Sequence, residues 1–219
     1  MIPSNDQPKR QLDDAEIVGR ILAGETALYE ILIRRNNPYL YRVGRAYGYS
    51  HEDSQDLMQD TFVDAFLSLS RFEGRSTFTT WIIRIMVHNC HRKRQKWSTK
   101  NVVASDISDE TIPLFSNEDR TDTGRAVMNR ELNTVIENAL QRIPADYSVV
   151  FTLREINGMN VADTAHVLDI SDVNVKVRLN RAKAMLRKEI EKSYSYEDIF
   201  EFNLVYCNAM VDRVMAALG

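Results

Sequence analysis

Along most of this chain, apolar residues return every third or fourth position, the spacing of helices that bury one face. Asp13 or Asp14 can cap a first helix over Ala15–Ala23, which Gly24 ends. A second helix covers about Thr26–Tyr47, and Pro38 is expected to break or kink it because proline has no amide to donate. In YSHEDSQDLMQDTFVDAFLSLSRF a third helix starts near Ser50–Asp53, with Leu57, Phe62, Ala65, Phe66 and Leu69 on its apolar side. EGRS interrupts the pattern. Ser76 then caps a fourth helix with Phe78, Trp81, Ile82, Ile85 and Met86 on one face, ending in Arg92, Lys93, Arg94 and Lys96.

The period fails over 98–125, a polar and acidic stretch with Pro113 and Gly124 that reads as a linker. It resumes over 126–142. Pro144 suits the first turn of a helix reaching about Glu155, and Asn157–Gly158 turns the chain. Asn160 caps a short helix, Val161–Leu168. After a tight DIS turn, Ser171 caps a long helix to about Lys192. Beyond 193, Met210, Val211, Val214, Met215 and Leu218 share one face of a terminal helix that Asn208 can cap. Strand-like alternation is confined to IFEFNLVYC, so the fold class is all-α: two helical domains, a flexible acidic linker and a short C-terminal extension.

Composition narrows the picture. The chain has 219 residues, 44% hydrophobic and 27% charged, which suits a globular protein. It has no run of 18 apolar residues to span a membrane, and its start, MIPSNDQPKRQLDDAE, does not read as a signal peptide. Cys90 and Cys207 make no disulfide framework, so a reduced, cytoplasmic protein is expected. The net charge of −3 is uneven: +2 over 1–97, −3 over 98–125, +1 over 126–192 and −3 over 193–219. The two structured blocks are thus mildly basic. HNCH invites a metal reading, but His88, Cys90 and His91 fan around a helix without a fourth ligand, so no metal is expected and Cys90 reads as a packing residue.

A short helix, a three-residue turn and a second helix form the pattern of a helix-turn-helix. On the second helix Val175, Leu179, Ala182 and Leu186 fall within about 60° of arc, the buried stripe. The opposite face offers methyls and polar groups suited to a major groove, including Val173, Lys176, Val177, Asn180 and Arg181.

With those residues in place, LREINGMNVADTAHVLDISDVNVKVRLNRAKAMLRKEI resembles the promoter-reading region four of bacterial sigma factors of the extracytoplasmic-function kind. HEDSQDLMQDTFVDAFLSLSRFEGRSTFTTWIIRI is similar to sigma region two, most specifically in DLMQDTF. Together the two cover about 160 of the 219 residues. The chain departs from the family at Asp169, where glycine is usual, at Asp60, where glutamate is common, and at His88, where asparagine is common.

The resemblance implies partners and roles. Asp53, Asp56, Gln59 and Asp60 would grip the clamp helices of core RNA polymerase, and region four would meet its beta flap. The minus-ten strand would be captured by Phe72, Arg75 and Ser76 and by the outward side of the fourth helix near Arg84, Val87, His88 and Asn89, with Arg92, Lys93 and Arg94 on phosphates. Ser171, Val173, Asn174, Lys176, Val177, Asn180 and Arg181 would read the minus-thirty-five duplex. An anti-sigma factor is a further implied partner; no cofactor and no catalysis are. The resulting assignment is an alternative sigma factor with domains at 1–97 and 126–192, the linker at 98–125 and the extension at 193–219. The competing reading is a stand-alone helix-turn-helix regulator, which accounts for 126–192 and leaves DLMQDTF idle.

Overall fold

The computed structural model describes residues 12–99, 134–193 and 213–216, and among them there are helices and turns but no strand. The first unit is built from α1 (Asp14–Leu22), α2 (Tyr29–Ala46), α3 (His51–Leu67) and α4 (Phe78–Thr99). The second holds α5 (134–142), α6 (Ala145–Phe151), α7 (Val161–Leu168) and α8 (Asp172–Ser193). Residues 213–216 are also helical, with Val214 and Met215 exposed. The linker reading beyond Thr99, the domain boundary at 125/126, the helix start over 126–133 and the rest of the C-terminal extension lie outside the described residues.

Local chemistry sets the helix ends. Ser50 caps α3, its hydroxyl accepting from the Asp53 amide at 3.0 Å, and the Asn160 side chain accepts from the Asp163 amide at 2.8 Å to cap α7. The expected cap at Ser76 moves one residue on: Thr77 Oγ1 accepts from the Thr80 amide at 3.1 Å. Pro144 stands before α6, outside its first turn. Pro38 does not break α2, which runs through it. Leu32 and Leu40 are fully buried on either side, so packing holds the helix where an amide is missing, and buried Asn36 donates its side-chain amide to the Leu32 carbonyl at 2.8 Å.

The first core forms where α2, α3 and α4 pack on one another around Leu40, Val43, Leu57, Phe62, Ile82 and Met86. Gly44 lets α2 and α3 close up: a Cβ there would meet Ser54 Oγ at 2.8 Å and Ser54 Cβ at 2.9 Å. Gly44→Ala should therefore destabilise the protein by about 1–3 kcal/mol through overpacking, measured by urea denaturation; an unchanged midpoint would show that the two helices move apart freely.

In the second unit α6 and α7 both lie on α8. Val175, Ala182 and Leu186 are buried and Leu179 half-buried, as the stripe requires. Asp169 ends α7 in the left-handed region, with φ 53° and ψ 47°, so the turn keeps the geometry that glycine would adopt without strain. A feature absent from the helical reading is the π-helical turn Thr152–Ile156, closed by the Asn157 amide on the Thr152 carbonyl at 2.8 Å.

The two units pack together. One contiguous apolar cluster joins Ile83 and Val87 of α4 with Leu153, Met159 and Val167 of the second unit. Another seats Ala46 and Tyr47, at the end of α2, among Val149, Val150, Ala165 and Val175. α7 thereby lies along α4, while α6 and the π turn lie on α2.

Candidate nucleic-acid interface

The α8 face is open. Ser171, Val173, Asn174, Lys176, Val177, Asn180 and Arg181 are all exposed, with Val173 at 67% and Val177 at 40%. Exposed valine methyls of this kind suit contacts with thymine methyls in a major groove. Ser171 has a structural task as well, because its hydroxyl accepts from the Asn174 amide at 3.2 Å and starts the helix. Lys176 and Arg181 are exposed on the same face.

On α3, Asp56, Gln59 and Asp60 are exposed on one stripe, and Val63 and Leu67 continue it at helical spacing, 52% and 77% exposed. The sequence reading missed these two apolar neighbours, although their spacing from Gln59 and Asp60 places them on the same face. Phe66, placed on the apolar side by the sequence, is 39% exposed and rests edge-on against Tyr29, 5.0 Å between centroids. Asp53 stands apart from the stripe. It is half-buried, accepts from the Ser50 hydroxyl, and pairs with Lys93 at 2.5 Å.

That pairing brings together residues the sequence assigned to different tasks. Asp56, Gln59 and Asp60 share a cleft of about 350 Å³ between α3 and α4 with Asn89, Arg92, Lys93 and Lys96. Arg92 lies 3.6 Å from Asp64, and Lys93 also sits over the Tyr49 ring at 5.7 Å. Two of the cations expected on phosphates are thus engaged by carboxylates in this arrangement, while Arg94 is exposed.

The expected strand-capturing surface divides. Arg84 and His88 are exposed, but Val87 and Asn89 are buried at 4% and 2%. Asn89 donates to Thr61 Oγ1 at 3.2 Å and to Asp64 at 3.0 Å, so it ties α4 to α3 and does not lie on the outward side. Val87 belongs to the cluster shared with the second unit, and Arg84, one turn before it, contacts His166 of α7 at 2.8 Å. Sequence periodicity gave α4 one apolar face, yet Ile83 and Val87 form a second, and α7 covers it.

The loop before α4 shapes the other wall. Phe72 packs tilted against Trp81 and edge-on to buried Phe78, with centroids 5.4 and 5.7 Å away, which supports Trp81 as a packing residue. Arg75 is exposed and ion-paired to Glu73. Arg75, Ser76 and Thr77 line a cleft of about 780 Å³ whose far side is Asn157–Asn160 of the second unit, and Asn157 reaches the Tyr39 carbonyl at 3.4 Å. The second unit therefore stands over both the loop and the α4 face.

Titration adds little chemistry. Burial pushes the Cys90 thiol up to about 12 and the Tyr49 phenol up to about 12, and Tyr49 donates to the Cys90 carbonyl at 2.6 Å, so both serve packing. His91 is lowered by burial and by Arg94, and its ring meets the Tyr47 hydroxyl at 3.1 Å. Among the described residues no three His, Cys, Asp or Glu side chains are grouped to hold a metal, and no helix is long and apolar enough to cross a membrane.

Both units resemble known proteins. Residues 32–99 match the family model of Sigma-70 region 2, and residues 134–186 match that of Sigma-70, region 4, together more than half of the chain. The ECF RNA polymerase sigma-E factor of Haemophilus influenzae is 25% identical over 83% of this chain and 97% of its own. The RNA polymerase sigma-H factor of Pseudomonas aeruginosa is 24% identical over 83% and 95%. The ECF RNA polymerase sigma factor SigM of Mycobacterium tuberculosis is 26% identical over 82% and 86%. Among solved structures, CnrH in complex with the cytosolic domain of CnrY aligns with a TM-score of 0.56 at 21% identity, covering 81% of this chain and 97% of that one. The sigma factor RpoE in complex with the anti-sigma factor NepR from Bartonella quintana aligns at 0.55 and 18%, covering 78% and 98%. Both are likenesses of fold.

Proposed function

This chain belongs to the sigma-70 family, and we propose that it is an alternative sigma factor of the extracytoplasmic-function kind, joining core RNA polymerase to direct promoter-specific transcription initiation. The observation that carries the reading is the succession of both regions on one chain, each presenting an exposed face of the right chemistry: an acidic-apolar stripe on α3 and a methyl-and-cation face on α8. A stand-alone helix-turn-helix regulator would need only the second.

In this reading Asp56, Gln59 and Asp60, extended by Val63 and Leu67, meet the beta-prime clamp, while region four meets the beta flap. The exposed α8 residues read the minus-thirty-five duplex. Phe72, Arg75, Ser76, Arg84 and His88 hold the minus-ten strand once α7 has moved off α4, and Arg92, Lys93 and Arg94 take phosphates, the first two by exchanging their carboxylate partners. Val87 joins that surface only when uncovered, and Asn89 positions α4 beneath it. The factor supplies no reaction of its own and acts in the cytoplasm, where core polymerase is. Its structural neighbours were solved with CnrY and with the anti-sigma factor NepR, which supports a protein inhibitor as a further partner.

Run-off transcription with purified core polymerase on a promoter pool tests the reading. The expected result is a discrete set of transcripts that requires this chain. Duplex binding without any core-dependent transcript would favour the regulator.

A further inference from the structure

Across the junction of the two units lies an ion pair that none of the assigned surfaces uses. Arg45, at the end of α2, donates from Nη2 and Nε to Glu137 Oε1 of α5 at 3.3 and 3.4 Å. The two residues are 92 positions apart, and their side chains are only 4% and 1% exposed. Arg45 is aimed from its own unit, because Nη1 donates to the Tyr49 carbonyl at 2.9 Å. The second unit therefore carries the carboxylate onto a guanidinium that the first unit already holds in place.

We infer that the Arg45–Glu137 pair is a latch between the two units: it selects the closed chain, and its separation uncovers the α4 face beneath α7. The physical basis is an asymmetry. A buried ion pair adds little attraction beyond the hydration that both ions give up. Removing one charge is different, because it penalises only the state in which the other stays buried. When the units part, both groups return to water and the penalty vanishes. Glu137→Gln keeps the side chain's shape and its place on α5, so it removes the charge from the pair with little change of volume. Two further cross-junction contacts, Arg84 with His166 and Asn157 with the Tyr39 carbonyl, are more exposed and help seat α7 and the π turn. What opening does at a promoter rests on the sigma-factor reading; the latch itself does not.

The test follows the full chain alone. A cysteine is placed at Met159, 7% exposed in the shared apolar cluster, and its labelling by iodoacetamide is resolved by peptide mass spectrometry. Where opening is faster than labelling, the rate scales with the open population. Glu137→Gln should accelerate labelling about a hundredfold or more. In an Arg45→Met background the same change should alter the rate less than threefold, since the charge it formerly balanced is gone. Amide exchange over α3, which packs on α2 and α4, should be unaffected. Three results would each overturn the latch: a Glu137→Gln rate within threefold of the parent, equal acceleration with and without Arg45, or lost protection in α3. The transcription assay is independent, so failure of the latch and failure of the sigma-factor reading are told apart.

Discussion

Asp56→Lys combined with Asp60→Lys is expected to lower affinity for core RNA polymerase at least a hundredfold while leaving the fold intact. Both carboxylates are exposed on α3, on the side away from buried Leu57, Thr61 and Ala65. Placing two cations there sets like charge against the basic helix they are proposed to meet, which costs several kcal/mol across an interface. The unfolding midpoint should hold, because exposed helical substitutions shift stability by about 0.5 kcal/mol or less. Asp53→Ala supplies the contrast. That carboxylate accepts from the Ser50 hydroxyl and pairs with Lys93, so its loss should appear in stability first, by about 1 kcal/mol at the α3 start. Co-purification and titration with labelled core measure the first effect, and unchanged affinity in the double variant would remove the α3 assignment.

The second large effect separates reading of the duplex from opening of it. Lys176→Ala and Arg181→Ala should each weaken minus-thirty-five recognition by about 1–3 kcal/mol if they reach base edges, and the pair together should leave little sequence preference. Phe72→Ala and His88→Ala should preserve duplex binding by the holoenzyme and lose strand opening, read by permanganate reactivity of promoter thymines. Phe72 is half-buried against Trp81, so its variant also needs a folding control, whereas His88 is exposed. Asn89 is a poor probe, since truncating it would remove bonds to Thr61 and Asp64 and disturb the α3–α4 contact. Equal loss of duplex binding and opening in both sets would contradict two separate readers.

The helices and their inward stripes were legible because a buried face imposes a period that survives any connection between elements. Val175, Ala182 and Leu186 are buried as the spacing required, and Leu57, Phe62 and Ala65 likewise. Packing between units was not legible. Ile83 and Val87 look like ordinary members of an apolar helix until α7 covers them, and Arg45 and Glu137 look like surface charges 92 positions apart. The π turn at Thr152–Ile156 also escaped, since one inserted residue leaves helical composition unchanged. Pro38 misled for a related reason: propensity described the strand of sequence, while Leu32 and Leu40 held the helix from outside it. The carboxylate partners of Arg92 and Lys93 required the distance between α3 and α4, which no spacing within either helix contains.

The closed chain covers its two blocks unequally: the α8 face stands in solvent, while the α4 face lies under α7. Under the sigma-factor reading, the closed form would present the duplex-facing residues of α8 and withhold those of α4 until the units part. Reading a duplex and holding a strand would then be successive acts of one molecule, with core polymerase as the proposed agent of the second. On that reading a surplus of promoters alone would not draw the factor into activity, because the α4 face stays covered until the units part.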